Sequence, residues 1–386
     1  MRNRLILLLI CTAWLWSCGT GNSGNDPQTS STPPEPVPQV AKPVSPEALF
    51  AYAKEAGVEA DPTSPEKTLE ELGFGHQPAP LKFIARTLPP DSAAIAEAWS
   101  AYQKGKPDWM RSLEPADSTY LLLKMAWQRL NRAGEADSAA VVAGTLNARR
   151  WMHRQTRRSP RSVYVNIRGA YLVGRDSTGK AVLRMRVVAG KPDKPTPPMD
   201  TYATQLITHP YWNVPRSIAV SEMLPKIQRN ARFLERNNIE VIDAKGNLID
   251  PESVRWGALS VNKFPYRLRQ DTGGDNSLGL LKVELKNPLA IYLHDTNARY
   301  LFSREKRWRS HGCVRVQHPA HLANFLAGSG LLDSEMFEEP NDKVPPKAHR
   351  LPERIPVFLL YLGADMDENG KLVFYPDVYG WDNRSE

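Results

Sequence analysis

The chain has 386 residues, of which 41% are hydrophobic and 24% are charged. This balance is that of a globular protein, so it excludes wholesale disorder and a polytopic membrane protein, and the length favours two domains with tails. The net charge of +8 favours acidic partners or an anionic surface without identifying one. Three cysteines are too few for a disulfide scaffold.

Residues 1–17 have the pattern of a signal peptide. Arg2 and Arg4 precede an apolar run that is too short to span a bilayer. Leu15-Trp16-Ser17-Cys18 resembles the bacterial lipobox, in which the cysteine is lipidated and becomes the new N-terminus. The sequence therefore predicts a lipid anchor at Cys18 on the periplasmic face of a bacterial membrane, inner or outer. Conventional cleavage nearby, without lipid, is the alternative.

Residues 18–46 are rich in Pro, Ser and Thr, and this composition predicts an extended tether. Cys11 would leave with the signal peptide, so the mature chain would contain a lipidated Cys18 and one free thiol, Cys313. A single free thiol in an oxidising compartment requires an explanation.

Residues 47–150 predict a helical scaffold domain. Helices are expected at 91–102, 117–130 and 135–152, with Asp91 and Asp117 as N-terminal caps. The apolar positions of the second of these helices are Leu121, Met125, Trp127 and Leu130. We expect this region to act as a scaffold or to contact partners.

A basic cluster ends the helical region. Its members are Arg149, Arg150, Arg154, Arg157, Arg158 and Arg161. A solvated face or charge pairing between domains is the default interpretation, and contact with acidic lipid or peptidoglycan is the alternative. Nucleic acid is not an expected partner of an exported chain that has no stacking motif.

Residues 151–386 predict a mostly β catalytic-type domain. Strands are expected at 163–167, 183–187, 203–208, 281–285, 289–294, 355–362 and 372–375, with a hairpin turn at 176–179 and a helix from Pro319 to Ala327. Residues 217–274 look helical and loop-like, and that length is unusual for a connection. We therefore expect an inserted subdomain or lid there.

The chemistry concentrates at Ser310-His311-Gly312-Cys313, which follows His294 after fifteen residues. A thiol attacks a carbonyl as thiolate, and a nearby imidazole can supply the base and later protonate the leaving amine. Gly312 permits a tight turn, so that backbone N–H groups could face a developing oxyanion. Arg315 adds positive charge for a substrate carboxylate.

Each of these residues also has a structural interpretation. A single buried cysteine is usually inert packing, and a histidine on a strand is often a satisfied structural group. His294, Asp295, His311 and Cys313 could also hold zinc, but they lack the paired spacing that such sites usually show.

His294 followed at this separation by Ser310-His311-Gly312-Cys313 resembles the signature of bacterial L,D-transpeptidases. Further segments resemble the large periplasmic branch of that family, which has a lid insertion: 211–219, 264–270, 292–296, 355–358 and 377–380. The resemblance covers roughly 150–386. It implies an α+β protein in which the helical N-terminal region precedes a mostly β catalytic domain, a mixed β-sandwich-like sheet with an inserted helical lid.

The resemblance also implies a two-step acyl transfer. Cys313 would attack the carbonyl of the third stem residue, usually meso-diaminopimelate, in a tetrapeptide donor and expel D-alanine. The thioester would then pass to an amine on a neighbouring stem. His294 corresponds to the general base, and the N–H groups of Gly312 and Cys313, with His311 in support, to the oxyanion hole. The residues expected to shape the donor pocket are Tyr292, Trp212, Ser310 and Arg315.

The family requires no metal or organic cofactor and is inactivated by carbapenems at the same thiol. The partners implied are peptidoglycan stem peptides, the membrane through the N-terminal lipid, and cell-wall synthesis proteins through the helical region. The signature leaves the acceptor open, because water, a free D-amino acid or a lipoprotein lysine could also resolve the acyl-enzyme. A non-catalytic wall-binding lipoprotein is the alternative from another class. A papain-like peptidase is disfavoured, since its nucleophile normally precedes its histidine.

Overall fold

The computed structural model describes residues 45–79, 81–85, 90–105, 109–338 and 344–382. The predicted signal peptide, Cys18 and most of the predicted tether lie outside the described residues. No helix within those ranges is long and apolar enough to cross a membrane.

Among the described residues, six α-helices precede Arg161 and four follow Asn213. Their bounds are α1 Pro46–Glu55, α2 Pro65–Phe74, α3 Ser92–Gln103, α4 Trp109–Leu113, α5 Ser118–Arg132, α6 Ala136–Thr156, α7 Arg216–Ile218, α8 Leu224–Arg229, α9 Arg232–Arg236 and α10 Pro319–Ala327. Asp91 and Asp117 cap α3 and α5 by accepting hydrogen bonds from backbone N–H groups of the first turn, as predicted. The predicted helix at 319–327 is confirmed with both bounds.

The strands form one large sheet and two small ones. Their bounds are β1 Phe83–Ile84, β2 Arg161–Asn166, β3 Tyr171–Asp176, β4 Ala181–Gly190, β5 Met199–Thr208, β6 Trp212–Asn213, β7 Ile239–Ile242, β8 Leu248–Ile249, β9 Arg267–Gln270, β10 Leu281–Leu285, β11 Leu293–His294, β12 Trp308–Ser310, β13 Val314–Val316, β14 Lys347–Leu360, β15 Ala364–Met366 and β16 Leu372–Phe374.

The large sheet is mixed, and its pairings close it on itself. The order β5-β10-β11-β13-β4-β3-β2-β14 returns to β5, because β14 pairs with β2 on one side and with β5 on the other. Inward-facing aliphatic side chains of these strands, together with the buried face of α10, form the main core. The fold is thus α+β, with a helical N-terminal region and a mostly β catalytic domain.

The helical region and the sheet share buried contacts. The predicted boundary near 150 lies inside α6, which runs on to Thr156, and side chains of α5 and α6 pack with Ala364 and Met366 of β15. The predicted apolar face of α5 is wrong in part, because Leu121 and Met125 are exposed. These two side chains lie on the face opposite the buried Leu123 and Leu130, so the predicted set mixed two faces of one helix.

The basic cluster is largely structural. Arg149 and Arg150 are buried, and Arg149 pairs with Asp365 at 2.6 Å. Arg150 donates to the Ala56 carbonyl oxygen. A solvated face describes only two members, Arg157 and Arg158, which are exposed.

The expected lid segment contains more β structure than predicted. Strands β6, β9, β7 and β8 pair in that order in a separate four-stranded antiparallel sheet. This sheet and helices α7 to α9 enclose a hydrophobic core of their own, which includes Ile227, Leu234 and Leu268. We call residues 212–270 the insertion subdomain.

The strand predicted at 289–294 is reduced to its last two residues. Asn287 accepts hydrogen bonds from the N–H groups of Leu289 and Ile291, and Ala290 takes a left-handed conformation with φ +54°. Because extended backbone cannot include a left-handed residue, the segment is a loop up to Leu293.

Candidate active site

Two short strands place the predicted nucleophile beside the predicted base. Strands β11 and β13 are parallel neighbours, with Leu293 opposite Val314, and the Val314 N–H donates to the Tyr292 carbonyl oxygen at 3.1 Å. Leu293 and Val314 point into the main core. Side chains alternate along a strand, so Tyr292, His294 and Cys313 project to the opposite side, where all three line one cavity.

The turn before the nucleophile is held by hydrogen bonds within the signature segment. Ser310 Oγ donates to the Cys313 carbonyl oxygen at 2.5 Å and accepts from the Gly312 N–H at 3.1 Å. Gly312 has φ +119°, a conformation that favours glycine. Thr196 Oγ1 donates to the Gly312 carbonyl oxygen at 2.7 Å and so fixes the turn from a neighbouring segment.

This turn bears on the predicted oxyanion hole. The Gly312 N–H donates to Ser310 Oγ at 3.1 Å, so its role as an oxyanion donor stays a prediction. The Cys313 N–H has no acceptor within the described ranges and remains a candidate oxyanion donor.

The ring of His294 is fixed in one tautomer. Nδ1 donates to the Asp295 carbonyl oxygen at 2.5 Å, which leaves Nε2 with its lone pair. Burial and the nearby Arg315 lower the pKa of His294 to about 3, against the opposing effect of backbone carbonyls. The imidazole is therefore uncharged at neutral pH.

The thiol of Cys313 is half-buried and also uncharged. Burial raises its pKa to about 11, although Tyr292 and the nearby Lys282 and Arg315 act in the opposite direction. Sγ donates to the Ala290 carbonyl oxygen at 3.6 Å, and no hydrogen bond joins Sγ to the imidazole in the described structure. The resting site is thus a neutral thiol near a neutral base.

Two aromatic side chains, Tyr292 and Trp212, lie next to the nucleophile and come from different parts of the fold. The Tyr292 hydroxyl lies within hydrogen-bonding reach of both the Cys313 thiol and the Trp212 side chain, which belongs to the insertion subdomain. Burial and the Cys313 contact raise the pKa of Tyr292, so its hydroxyl stays a donor. Its ring centroid lies 5.6 Å from that of His294.

The other predicted pocket residues have separate positions. Arg315 lines the cavity, and its Nη1 donates to Thr296 Oγ1 at 3.3 Å. Its Nε is buried and has no partner within the described residues, which leaves capacity for a bound group. Ser310 also borders the cavity, but its hydroxyl is used in the turn.

The insertion subdomain covers the cavity, whose volume is about 460 Å³. Its apolar lining includes Ile218, Met223 and Phe233 from that subdomain, facing Leu289 and Ile291 of the loop before β11. The cavity is thus shaped by both parts of the fold.

Sequence reasoning missed three charged residues of this cavity, Lys194, Glu222 and Lys226. Glu222 lies in a π-helical turn, Ala219–Met223, between α7 and α8. Its Oε1 lies 2.8 Å from His311 Nε2 and 2.6 Å from Lys194 Nζ. Nothing in the sequence pairs Glu222 with a residue so distant along the chain.

The alternative of a zinc site has little support in this geometry. His311 Nε2 faces Glu222, while His294 Nδ1 faces a backbone carbonyl. Across the described ranges, no group of three or more His, Cys, Asp or Glu side chains is arranged to hold a metal ion.

Comparison with known proteins agrees with this geometry. Residues 160–345 match the family model of the YkuD L,D-transpeptidase catalytic domain. A curated Haemophilus influenzae protein described as "Putative L,D-transpeptidase" is 36% identical over 226 residues, which are 58% of this chain and 45% of that protein. The chain therefore spans less than half the length of this curated relative.

Solved structures also resemble part of the chain. An L,D-transpeptidase from Mycobacterium smegmatis is 14% identical with a TM-score of 0.26, covering 52% of this chain and 58% of its own. The structure of the L,D-transpeptidase LdtMt1 in complex with imipenem is 14% identical, with a TM-score of 0.25. The match covers 52% of this chain and 59% of that one. These TM-scores are low, and no argument rests on them.

Proposed function

We propose, from the match of residues 160–345 to the family model of the L,D-transpeptidase catalytic domain, that the chain crosslinks peptidoglycan through a thioester on Cys313. The donor is a tetrapeptide stem, and the product is a diaminopimelate-to-diaminopimelate bond. The observation that carries the proposal is the β11–β13 register, which sets a thiol beside an imidazole of the correct tautomer inside a covered cavity.

The first half-reaction transfers the donor acyl group to Cys313. The thiol turns from the Ala290 carbonyl towards His294, whose Nε2 takes the proton while Sγ attacks the carbonyl of the third stem residue. The Cys313 N–H and the Tyr292 hydroxyl supply hydrogen bonds to the developing oxyanion. The bond to the terminal D-alanine then breaks, and the proton on Nε2 passes to the leaving amine.

The second half-reaction resolves the thioester. An amine on a neighbouring stem attacks the acyl carbon, the carbon–sulfur bond breaks, and Sγ regains a proton through His294. No metal or organic cofactor takes part in either step.

The charges of the cavity suit a stem peptide. Lys194, Lys226 and Arg315 line it, and stem peptides present carboxylates to such groups. Trp212 and Tyr292 supply flat surfaces beside the reacting thiol. These side chains fit the donor-pocket role that we assign to Trp212, Tyr292 and Arg315.

We place the reaction at the periplasmic face of a bacterial membrane, with the chain anchored through a lipid on Cys18. This part of the proposal rests on the sequence of residues 1–46 alone. The tether would let the catalytic domain reach the wall, and carbapenems would inactivate it by acylating Cys313.

The proposal is tested by incubating the full chain with disaccharide-tetrapeptide and identifying the products by mass. A crosslinked dimer that is absent with Cys313→Ala supports transpeptidation. A shortened stem, an exchanged stem or a lipoprotein conjugate would instead assign the same site to carboxypeptidase, exchange or attachment activity. Binding to sacculi without any change in the muropeptides would favour a wall-binding lipoprotein.

A further inference from the structure

Crosslinking by an amine poses a proton problem that the thiol and His294 do not solve alone. A stem amine arrives mainly as an ammonium ion at neutral pH, and it must lose two protons to become an amide nitrogen. One proton returns to Sγ through His294. The second needs another acceptor with a route to solvent, which the buried His294 lacks.

The cavity contains a second imidazole beside a carboxylate. Glu222 is the single carboxylate among the described residues that line it, and Glu222 Oε1 contacts both His311 and Lys194. Glu222 Oε2 has no partner within the described part of the chain, so one oxygen remains available to a cation. The side chains of Glu222 and His311 are 35% and 34% exposed, which gives a proton access to water.

The pairing also fixes the tautomer of His311. Although partial burial acts in the other direction, Lys194 and His311 hold the pKa of Glu222 below its usual range, so its carboxylate is an acceptor only. In the uncharged form of the ring, His311 Nε2 then carries the hydrogen, and Nδ1 keeps its lone pair. An imidazole oriented by a carboxylate in this way is a competent base.

The backbone conformation at Glu222 also supports a functional role for this residue. Glu222 lies within the π-helical turn Ala219–Met223, which interrupts the helical segment running from α7 to α8. Such turns are rare and occur frequently at functional sites.

We propose that Glu222 and His311 form an acceptor-side site, in which Glu222 binds the ammonium of the incoming stem and His311 removes its first proton. The neutral amine then attacks the thioester, its second proton passes through His294 to Sγ, and His311 releases its proton to water. The net reaction is thioester plus ammonium giving amide, thiol and one proton. This inference rests on the proposed function, and it explains how one active site favours an amine over water.

The test compares two acceptors on the Cys313 acyl-enzyme of the full chain. One is a diaminopimelate tripeptide stem, whose amine is charged at neutral pH, and the other is hydroxylamine, which is mainly uncharged there. The measured quantity is the ratio of amine product to hydrolysed product, determined by mass, for wild type and Glu222→Gln. Glu235→Gln is the matched control, because Glu235 is exposed on α9 of the same subdomain and does not line the cavity.

For the stem acceptor, we expect Glu222→Gln to lower this ratio about tenfold or more, since positioned proton transfer typically contributes at least that much. For hydroxylamine the ratio should change by less than about twofold, because no ammonium must be bound or deprotonated. An unchanged ratio with the stem, or an equal fall with both acceptors, would overturn the inference while leaving the proposed function intact. A wild-type chain that forms no acyl-enzyme would overturn both.

Discussion

Two buried polar clusters of this protein are built in opposite ways. The Asp365 cluster consists of Asp365, Arg149, Tyr164 and Tyr171, where α6 meets β15. The nucleophile cluster consists of Tyr292, His294 and Cys313. The Asp365 cluster is buried throughout, whereas in the nucleophile cluster His294 is buried and Cys313 is half-buried. Only the Asp365 cluster contains a matched pair of charges.

In the Asp365 cluster the carboxylate is satisfied on all sides. It accepts hydrogen bonds from Arg149, from both tyrosine hydroxyls and from the Met366 N–H. Burial would raise the pKa of Asp365, yet Arg149 and Tyr171 outweigh that effect and hold it below its usual range. Charges that are paired in this way lock two parts of a fold together.

In the nucleophile cluster the nearby charges do not outweigh burial: Lys282 and Arg315 favour the thiolate, but desolvation has the larger effect. The thiol pKa rises to about 11 and the imidazole pKa falls to about 3, so both groups are neutral at rest. Hydrogen-bonding capacity at His294 Nε2 and at the Cys313 N–H remains for substrate. The comparison teaches that a buried charge with a partner stabilises the fold. A titratable group without such a partner can instead give or take a proton during a reaction.

The largest effect is expected from removing the nucleophile. Cys313→Ala should lower transfer by at least about a thousandfold, because no other group can carry the acyl intermediate. Its thermal unfolding should match wild type, since a half-buried thiol contributes little packing. Crosslinking of muropeptides at the wild-type rate by this variant would contradict the assignment.

Removing the base should have the next largest effect. His294→Ala should slow formation of the acyl-enzyme by about 10²–10⁴-fold, because the neutral thiol then has no acceptor for its proton. The rate is measured by quenching and mass analysis at successive times. An unchanged rate would mean that another group activates Cys313.

A substitution in the Asp365 cluster should lower the free energy of unfolding. Asp365→Asn should cost about 3–5 kcal/mol in the free energy of unfolding, because Arg149 is left as an unpaired buried charge. Asp193→Asn, which removes an exposed partner of Lys191, serves as control and should cost less than about 1 kcal/mol in the same urea titration. Equal losses for the two variants would remove the contrast between the clusters.

The resting enzyme should also show a pH dependence, which for each pH unit is the smallest of the expected effects. Alkylation of Cys313 by iodoacetamide should rise about tenfold per pH unit from pH 7 to 10, because the thiolate forms only towards a pKa of about 11. Peptide mass analysis separates this adduct from those on the other cysteines. A plateau between pH 6 and 8 would indicate an ionised thiolate–imidazolium pair instead.

Local rules predicted much of the fold. Helix α10 and strand β10 have the predicted bounds, and the aspartate caps of α3 and α5 are confirmed, because capping and periodicity are properties of neighbouring residues. The strand at 289–294 failed because the side chain of Asn287 organises a loop there. The alternation of apolar residues along a sequence carries no information about such side-chain hydrogen bonds.

Most of the predicted site residues lie in or next to one motif, and Trp212 is the predicted residue that lines the cavity from elsewhere in the chain. His294 and Cys313 were found by their order and spacing, although their roles stay predictions. Glu222 was not found, because its contact with His311 depends on how the insertion subdomain folds over the sheet. The use of the Gly312 N–H by Ser310 depends likewise on the geometry of one turn.

The most direct test of the central claim is the intact mass of the full chain, quenched within seconds of mixing with disaccharide-tetrapeptide. We predict an adduct on Cys313 that equals the donor minus D-alanine and that is absent from Cys313→Ala. An unmodified chain in the presence of confirmed product, or an adduct on any other residue, would contradict the thioester mechanism.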